Sequence, residues 1–189
     1  MAVQNGRLEM VDWKKLRERM IRAAQLEPKL YEEVEADKSA MTQAMLVVVL
    51  SSLAAGLGTI TTGGFSSVLA GTILALVAWY IWAFITYFVG TKLLPTPDTK
   101  ADLGQLLRTI GFSTSPGLIR ILGIIPFLTN IVFFVAAFWM LAAMVIAVRQ
   151  ALDYRSTFRA VAVCIIGWII QFIIIVITVS LIARPTTSV

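Results

Sequence analysis

The sequence contains no histidine and a single cysteine, Cys164. Without histidine there is no imidazole base and no His-ligated metal site. One cysteine excludes an intrachain disulfide, a Cys₂His₂ or Cys₄ zinc site and a CxxC redox pair, and it leaves the redox compartment unread. Charge is also scarce, at 14% of residues, against about 25% in soluble domains. All 11 acidic residues lie outside the long apolar runs, so none is placed as a buried proton or cation relay. Serines and threonines inside the apolar runs have no His, Lys or carboxylate partner there, and arginine is no base at neutral pH. The sequence thus predicts no catalytic residue, no cofactor and no metal. What is abundant is apolar: 58% of 189 residues, against about 45–50% in soluble proteins. A soluble domain of this size has too much surface for its volume to hide that. The expected class is all-α: a polytopic integral membrane helical bundle, counted in spans of roughly 20 residues.

The net charge is +5, and its distribution is uneven. Residues 1–38 hold eight Lys/Arg and eight Asp/Glu, whereas residues 39–189 hold eight and three. The surplus lies between apolar segments, where it reads as topology signal and lipid-headgroup contact. No basic helix interleaved with exposed aromatics suggests a nucleic-acid partner.

The first long apolar run begins at Met41, too late for a secretory signal, and the acidic residues before it argue against a transit peptide. Residues 1–39 are expected to form a cytoplasmic arm. Within it, residues 9–26 read as an amphipathic helix, with Trp13, Leu16, Met20 and Ala24 on one stripe and Lys14, Lys15, Arg17, Arg19 and Arg22 around it. Two readings stand: a helix lying on an anionic membrane surface, or one packed on the rest of the protein by its Trp13 side. Pro28 ends it. Glu32, Glu33, Glu35 and Asp37 follow and are expected to be a solvated acidic face rather than a recognition surface.

Residues 40–185 are the expected membrane domain, with spans at about 41–58, 68–93, 103–125, 127–148 and 160–183. The polar turn at 59–64 is short enough to make the first two spans antiparallel neighbours. The third span is ambiguous. Arg108 and Arg120 bound only about 17 Å of α-helix against about 30 Å of hydrocarbon. It crosses with the bilayer thinned, or it is re-entrant or buried. Counting Lys and Arg favours crossing: then the Arg149, Arg155 and Arg159 linker faces inside with the arm. Five spans are therefore expected, with the N-terminus cytoplasmic and the C-terminus outside.

An intramembrane charge costs about 2.5–3.5 kcal/mol on insertion scales. Arg108 and Arg120 are therefore candidate sites for lipid phosphate or an anionic substrate. Each lies near an end of its segment, so snorkelling to the headgroups is the favoured reading. Between them, Gly111 permits close helix approach and Pro116 opens the helix. The hydroxyls of Ser113, Thr114 and Ser115 can rebond the freed carbonyls. Gln171, midway along the last span, is expected to hydrogen-bond another helix. Trp79, Tyr80, Trp82 and Trp139 fall at mid-depth, so their polar tips are expected to face the bundle.

The order of features over about residues 28–183 resembles the Yip1 domain family. Leu30-Tyr31-Glu32-Glu33-Val34 precedes two close spans. Leu106-Leu107-Arg108-Thr109-Ile110-Gly111-Phe112 then leads to Pro116, and Ile124-Ile125-Pro126 to two more spans around a basic linker. Gly111, Phe112 and Pro116 match the Gly-Tyr-x-x-x-Pro string of eukaryotic members, with phenylalanine for tyrosine. The resemblance implies five spans, a cytoplasmic N-terminus and no known catalysis. In eukaryotes it implies vesicle trafficking and binding of prenylated Rab GTPases. The Asp-Leu-x-Gly-Pro string of those members is missing, so Rab binding is not carried over and the chain looks more like bacterial members of the inner cell membrane. The expected function is that of a non-enzymatic scaffold or membrane-organising protein. Its expected partners are the lipid bilayer, a membrane or cytoplasmic protein, and a second copy of itself. A small transporter or channel component, and an accessory subunit of a larger complex, are the alternatives.

Overall fold

The computed structural model describes residues 12–125 and 127–182, with the side chains of 61–63, 67, 175 and 178–182 left aside. Residues 9–11 of the expected first helix, Pro126 and the Arg184-Pro185 end of the last span lie outside the described residues. Among the described residues every regular element is helical.

Two short helices form the arm. α1 (Trp13–Ala24) starts at Asp12, whose carboxylate accepts from the Lys14 and Lys15 amides at 3.0 and 3.1 Å. This cap satisfies amides that the first helical turn leaves without partners. The chain reverses at Leu26, which takes a left-handed φ of 61°. α2 (Pro28–Ala36) then begins with proline in its first turn, where no amide is needed.

The membrane domain follows. α3 (Ala40–Gly58) and α4 (Ile60–Phe88) are joined by Thr59 alone. The expected polar turn is instead a kink inside α4 at Gly64, whose φ of 70° suits glycine. Val68 lies against Gly56, so α4 runs antiparallel to α3. A π-helical turn, Val89–Leu93, ends that helix. α5 (Leu103–Ser113) opens with a reciprocal cap between Asp102 and Gln105, and it passes into a 3₁₀ helix, Ser115–Ile124. α6 (Thr129–Ala151) and α7 (Thr157–Ile182) complete the bundle.

Four helical stretches are long and apolar enough to cross a membrane: Ala40–Gly58, Gly64–Leu93, Thr129–Ala151 and Thr157–Ile174. The expected third span is not among them, because its α-helical part has only 11 residues. Its course is nonetheless regular. Gly104 lies near Met41, Gly111 against Ala44, Gly117 against Ser51 and Gly123 against Gly58. Residues 103–124 therefore run parallel to α3 along its whole length. Their two ends meet the two ends of that 19-residue helix, so they span about 28 Å alongside it at about 1.5 Å per residue.

The loops at one end are stitched together. The Tyr154 hydroxyl donates to Leu94 O at 2.7 Å, the Thr99 hydroxyl donates to Leu152 O at 3.1 Å, and Arg155 pairs with Asp98 at 3.0 Å. Gln150, also at this end, donates to Glu32 of α2 at 2.7 Å. The arm and both polar loops thus share one end of the bundle.

Candidate functional site

The polar residues of the arm form a latch. Arg19 is 2% exposed. Its Nε donates to Glu33 at 2.9 Å, its Nη2 to Asp37 at 2.7 Å and its Nη1 to Gln43 Oε1, in the first turn of α3, at 2.8 Å. Arg22 binds Glu27 at 3.0 Å and Glu33 at 2.6 Å. Hydrogen bonds from Ser39 and Arg19 hold Asp37 far below the usual carboxylate range. Burial works the other way on Glu33, but the hydrogen bonds of Arg22 and Arg19 outweigh it and lower its pKa. The acidic run is therefore not a wholly free solvated face: Glu33 and Asp37 are paired with Arg19 and Arg22 while still partly exposed, and Glu32 stays exposed. The reason is that folding α2 over α1 brings Lys15, Arg19 and Arg22 within reach of Glu27, Glu33 and Asp37.

Below the latch, Leu16 and Ala23 of α1 and Leu30, Tyr31 and Val34 of α2 pack with Ala44, Val47, Phe112 and Ala147. The helix is rotated from the expected stripe. Trp13 is 64% exposed and Ile21 46%, and Arg17 between them is also exposed. Leu16, Arg19 and Ala23 are the buried face instead, because the latch can neutralise Arg19 only when it points inward.

Arg108 does not snorkel. It is 5% exposed, its Nε donates to Val34 O at 2.9 Å and its Nη2 donates to Glu35 O. These are last-turn carbonyls of α2, which have no helical donors, and a cation suits that end of the helix dipole. Glu35 pays for its place: its carboxyl is pushed up to about 7, first by burial and then by Asp153.

The string between the arginines divides its work. A Cβ on Gly111 would lie 2.7 Å from Ala44 Cβ, so α5 touches α3 there. Phe112, 0% exposed, is the floor on which the arm sits. The Ser113, Thr114 and Ser115 hydroxyls each donate to a carbonyl three residues back, those of Ile110, Gly111 and Phe112, all at 2.7 Å. With these carbonyls satisfied, the chain turns at Pro116 from α to 3₁₀ geometry.

Arg120 is turned inward as well. Its backbone lies level with Gly58 at the far end of α3, but its guanidinium reaches back toward the middle of that helix. Nη2 donates to Ser51 Oγ at 2.8 Å and Ser51 O at 3.1 Å, and Nε donates to Gly117 O at 3.0 Å. The group also stands 6.0 Å from the Phe133 ring centre. It opens on a cavity of ≈ 610 Å³ between α3, α4, α6, α7 and the 3₁₀ helix, whose polar lining includes Ser51, Ser52, Thr114 and Gln171. The Gln171 amide has no hydrogen-bond partner among the described residues, contrary to the helix-to-helix bond expected of it. Among the described residues no cluster of three His, Cys, Asp or Glu is arranged to hold a metal.

The tryptophans serve packing. Trp79 donates to Leu107 O at 3.1 Å, Trp82 points at Met144 Sδ at 3.1 Å and Trp139 donates to Ala24 O at 2.7 Å. Tyr80 differs, being 52% exposed on the outer face of α4. Sequence reasoning missed Arg19, Glu33, Asp37 and Gln43. The signal that could have found them is the opposite net charge of the two arm helices, basic in Trp13–Ala24 and acidic in Pro28–Ala36.

A latched arm, two close apolar helices, a Pro-broken third segment and two further apolar helices define an all-helical integral membrane protein. The Yip1 domain family model matches residues 27–179, and the chain belongs to that family. No curated protein and no solved structure matches the chain.

Proposed function

We propose that the protein is a non-enzymatic, five-span membrane organiser whose arm sits at the depth of the cytoplasmic leaflet. The observation that carries this is the unequal height of lipid-facing apolar surface on its two sides. On α4, exposed apolar residues run from Phe65 through Ile73 and Ile81 to Phe88, about 35 Å at 1.5 Å per residue. On the arm side the third segment exposes large apolar residues only at Ile121, Leu122, Ile124 and Ile125. On α6 they run from Phe127 to Phe138, about 17 Å. Above Phe138 the arm covers the bundle, bonded through Trp139, and turns Lys14, Lys15 and Arg17 outward. Those charges belong among headgroups, with Trp13 and Ile21 dipping below them. Hydrocarbon beside the arm must then thin by roughly half, and a bilayer thinned on one side of a protein bends or recruits more copies.

Five crossings suit the course of residues 103–124, which run beside α3 over its length of about 28 Å. They place Lys92, Lys100, Arg149, Arg155 and Arg159 on the arm's side, which the positive-inside rule makes cytoplasmic. In a Cys164→Ser background, Ser156→Cys is then labelled from the cytoplasmic side, as Ser39→Cys is. Labelling of Ser156→Cys from the opposite side would mean four crossings. For function, the protein is reconstituted at rising density into 100 nm liposomes. Vesicles that narrow or tubulate with density support the reading. A monomer that leaves their shape unchanged and carries a solute across sinks it.

A further inference from the structure

Arg120 is a cation inside the bundle whose described partners are all neutral. Its Nε and Nη2 are satisfied by Gly117 O, Ser51 O and Ser51 Oγ. Its Nη1 has no acceptor among the described residues. No salt bridge reaches it among the described residues, unlike Arg19 and Arg22. A guanidinium held in a low-dielectric setting with neutral acceptors keeps its full charge, and an anion is what completes it. The group faces the ≈ 610 Å³ cavity, far more room than one phosphate fills.

The walls describe the rest of the occupant. The polar lining besides Arg120 includes the unpartnered Gln171 amide, and Ser52 and Thr114, whose hydroxyls already donate to Val49 O at 2.8 Å and Gly111 O at 2.7 Å; Val68, Ala75, Ala78, Trp79 and Trp168 are among the apolar walls. α7 touches α4 where Gly167 meets the Trp82 ring. Beyond that point Phe172, Ile173 and Ile174 are exposed. The cavity is therefore flanked by small residues of α4 on one side and by α7, whose Phe172 and Ile173 are exposed, on the other. Its α4–α7 side thus faces lipid, with a lining that mixes polar and apolar groups.

We propose that this cavity is a binding site for a single anionic phospholipid, its phosphate on Arg120 Nη1 and the Gln171 amide and an acyl chain leaving between α4 and α7. The site is independent of the arm and goes beyond the membrane-organising reading. A lipid held there fills the wedge between the outer halves of two spans. Phosphate accepts the N–H groups of Nη1 that no described acceptor uses, and the Gln171 amide supplies further donors. Lipid is favoured over free phosphate because most of the lining can make no polar contact.

The full chain in mild detergent is titrated with phosphatidic acid, with phosphatidylcholine of the same chains and with inorganic phosphate. Bound lipid is counted by native mass spectrometry. Phosphatidic acid is expected to bind once per protein, about tenfold or more tighter than phosphatidylcholine, as a charge-assisted contact would give. Millimolar phosphate is expected not to displace it. Arg120→Gln is expected to abolish the preference, and Arg120→Lys to restore part of it. A Cβ on Gly71, in the cavity lining, meets nothing within 4 Å, so Gly71→Leu adds bulk at the cavity wall where the backbone leaves room for a side chain to start, and it is expected to weaken both lipids. This variant also serves if Arg120→Gln fails to fold. Equal affinity for the two lipids, an unchanged preference in Arg120→Gln, undiminished binding in Gly71→Leu, or displacement by inorganic phosphate would each overturn the proposal.

Discussion

Replacing Arg19 by methionine keeps the aliphatic stem against Leu16 and Ala23 and deletes only the charge that ties the arm down. Removing one member of a buried ion pair costs about 3–5 kcal/mol when the other is left dry. Here the orphaned carboxylates are not dry, since Glu33 is 38% exposed and Asp37 25%, and Glu33 keeps Arg22 at 2.6 Å. Gln43, 8% exposed, has no such recourse and loses its donor. Discounted for that rehydration, the expected loss is about 2–3 kcal/mol of arm docking. The loss falls on the arm alone, because the core around Trp82, Ile85, Leu106 and Leu152 does not involve α1. Hydrogen exchange of the α1 amides should then accelerate about 30- to 150-fold, while exchange in α3 and α6 stays put. Arg17→Met, changed on the exposed side of the same helix, is the control and should leave exchange alone. If Arg19→Met left α1 protection within about threefold of the wild type, the latch would not be what holds the arm, and the apolar floor at Phe112 would have to suffice.

Two further tests bear on the same region. Gly111→Val drives a branched side chain into Ala44, whose Cβ already stands 2.7 Å from where a Cβ would sit. Overpacking of this kind costs about 1–3 kcal/mol, so the thermal unfolding midpoint in detergent should fall by several degrees; an unchanged midpoint would mean α3 and α5 are not in contact. The second test is of pH. The folded Glu35 carboxyl, at about 7 against 4.5 when exposed, holds its proton longer in the folded state than in the unfolded. Its contribution is therefore complete below about pH 4.5 and lost as pH rises through 7, worth about 1–2 kcal/mol after solvent screening. Asp37 and Glu33 act oppositely, their lowered pKa values stabilising the arm above the ordinary carboxylate range and failing in acid. Arm protection should thus peak near pH 5 and decline toward pH 8, and Glu35→Gln should flatten the alkaline limb; a limb that survives this substitution would assign it to another group.

The spans were legible because hydropathy over twenty residues reports a backbone that must bond within itself. The third segment was legible as a break, from Pro116 and its three hydroxyl neighbours, but not in length. Its reach depends on ten residues adopting 3₁₀ geometry, which no residue type encodes. The arginines were misread for a related reason. The partners of Arg108 are backbone carbonyls at the end of a helix more than seventy residues away, and a carbonyl looks the same at every position in a sequence. Arg19 was placed on a polar face because helical periodicity knows nothing of a second helix folded over it. The charge balance of residues 1–38 was on the page, but as a sum it carried no geometry.

The 3₁₀ segment also explains why Arg120 points inward when a helix-end arginine ordinarily reaches for headgroups. With three residues per turn, positions i, i+3 and i+6 stack in one row. Gly117, Arg120 and Gly123 form such a row, and all three meet α3, at Ser51 and at Gly58. The next row, Pro116, Ile119 and Leu122, carries two residues of the groove shared with α1. The third, Leu118, Ile121 and Ile124, turns its last two outward to lipid at 47% and 51% exposure. In α geometry each step of three residues would rotate by about 60°, and Gly117 and Gly123 would lie on opposite sides of Arg120 rather than in line with it. The glycines let the segment approach α3 closely enough for the guanidinium to reach Ser51, and the 3₁₀ winding keeps it aligned with them. The Pro116 break that made this segment look like a weak span is thus the feature that aims its one remaining cation into the cavity.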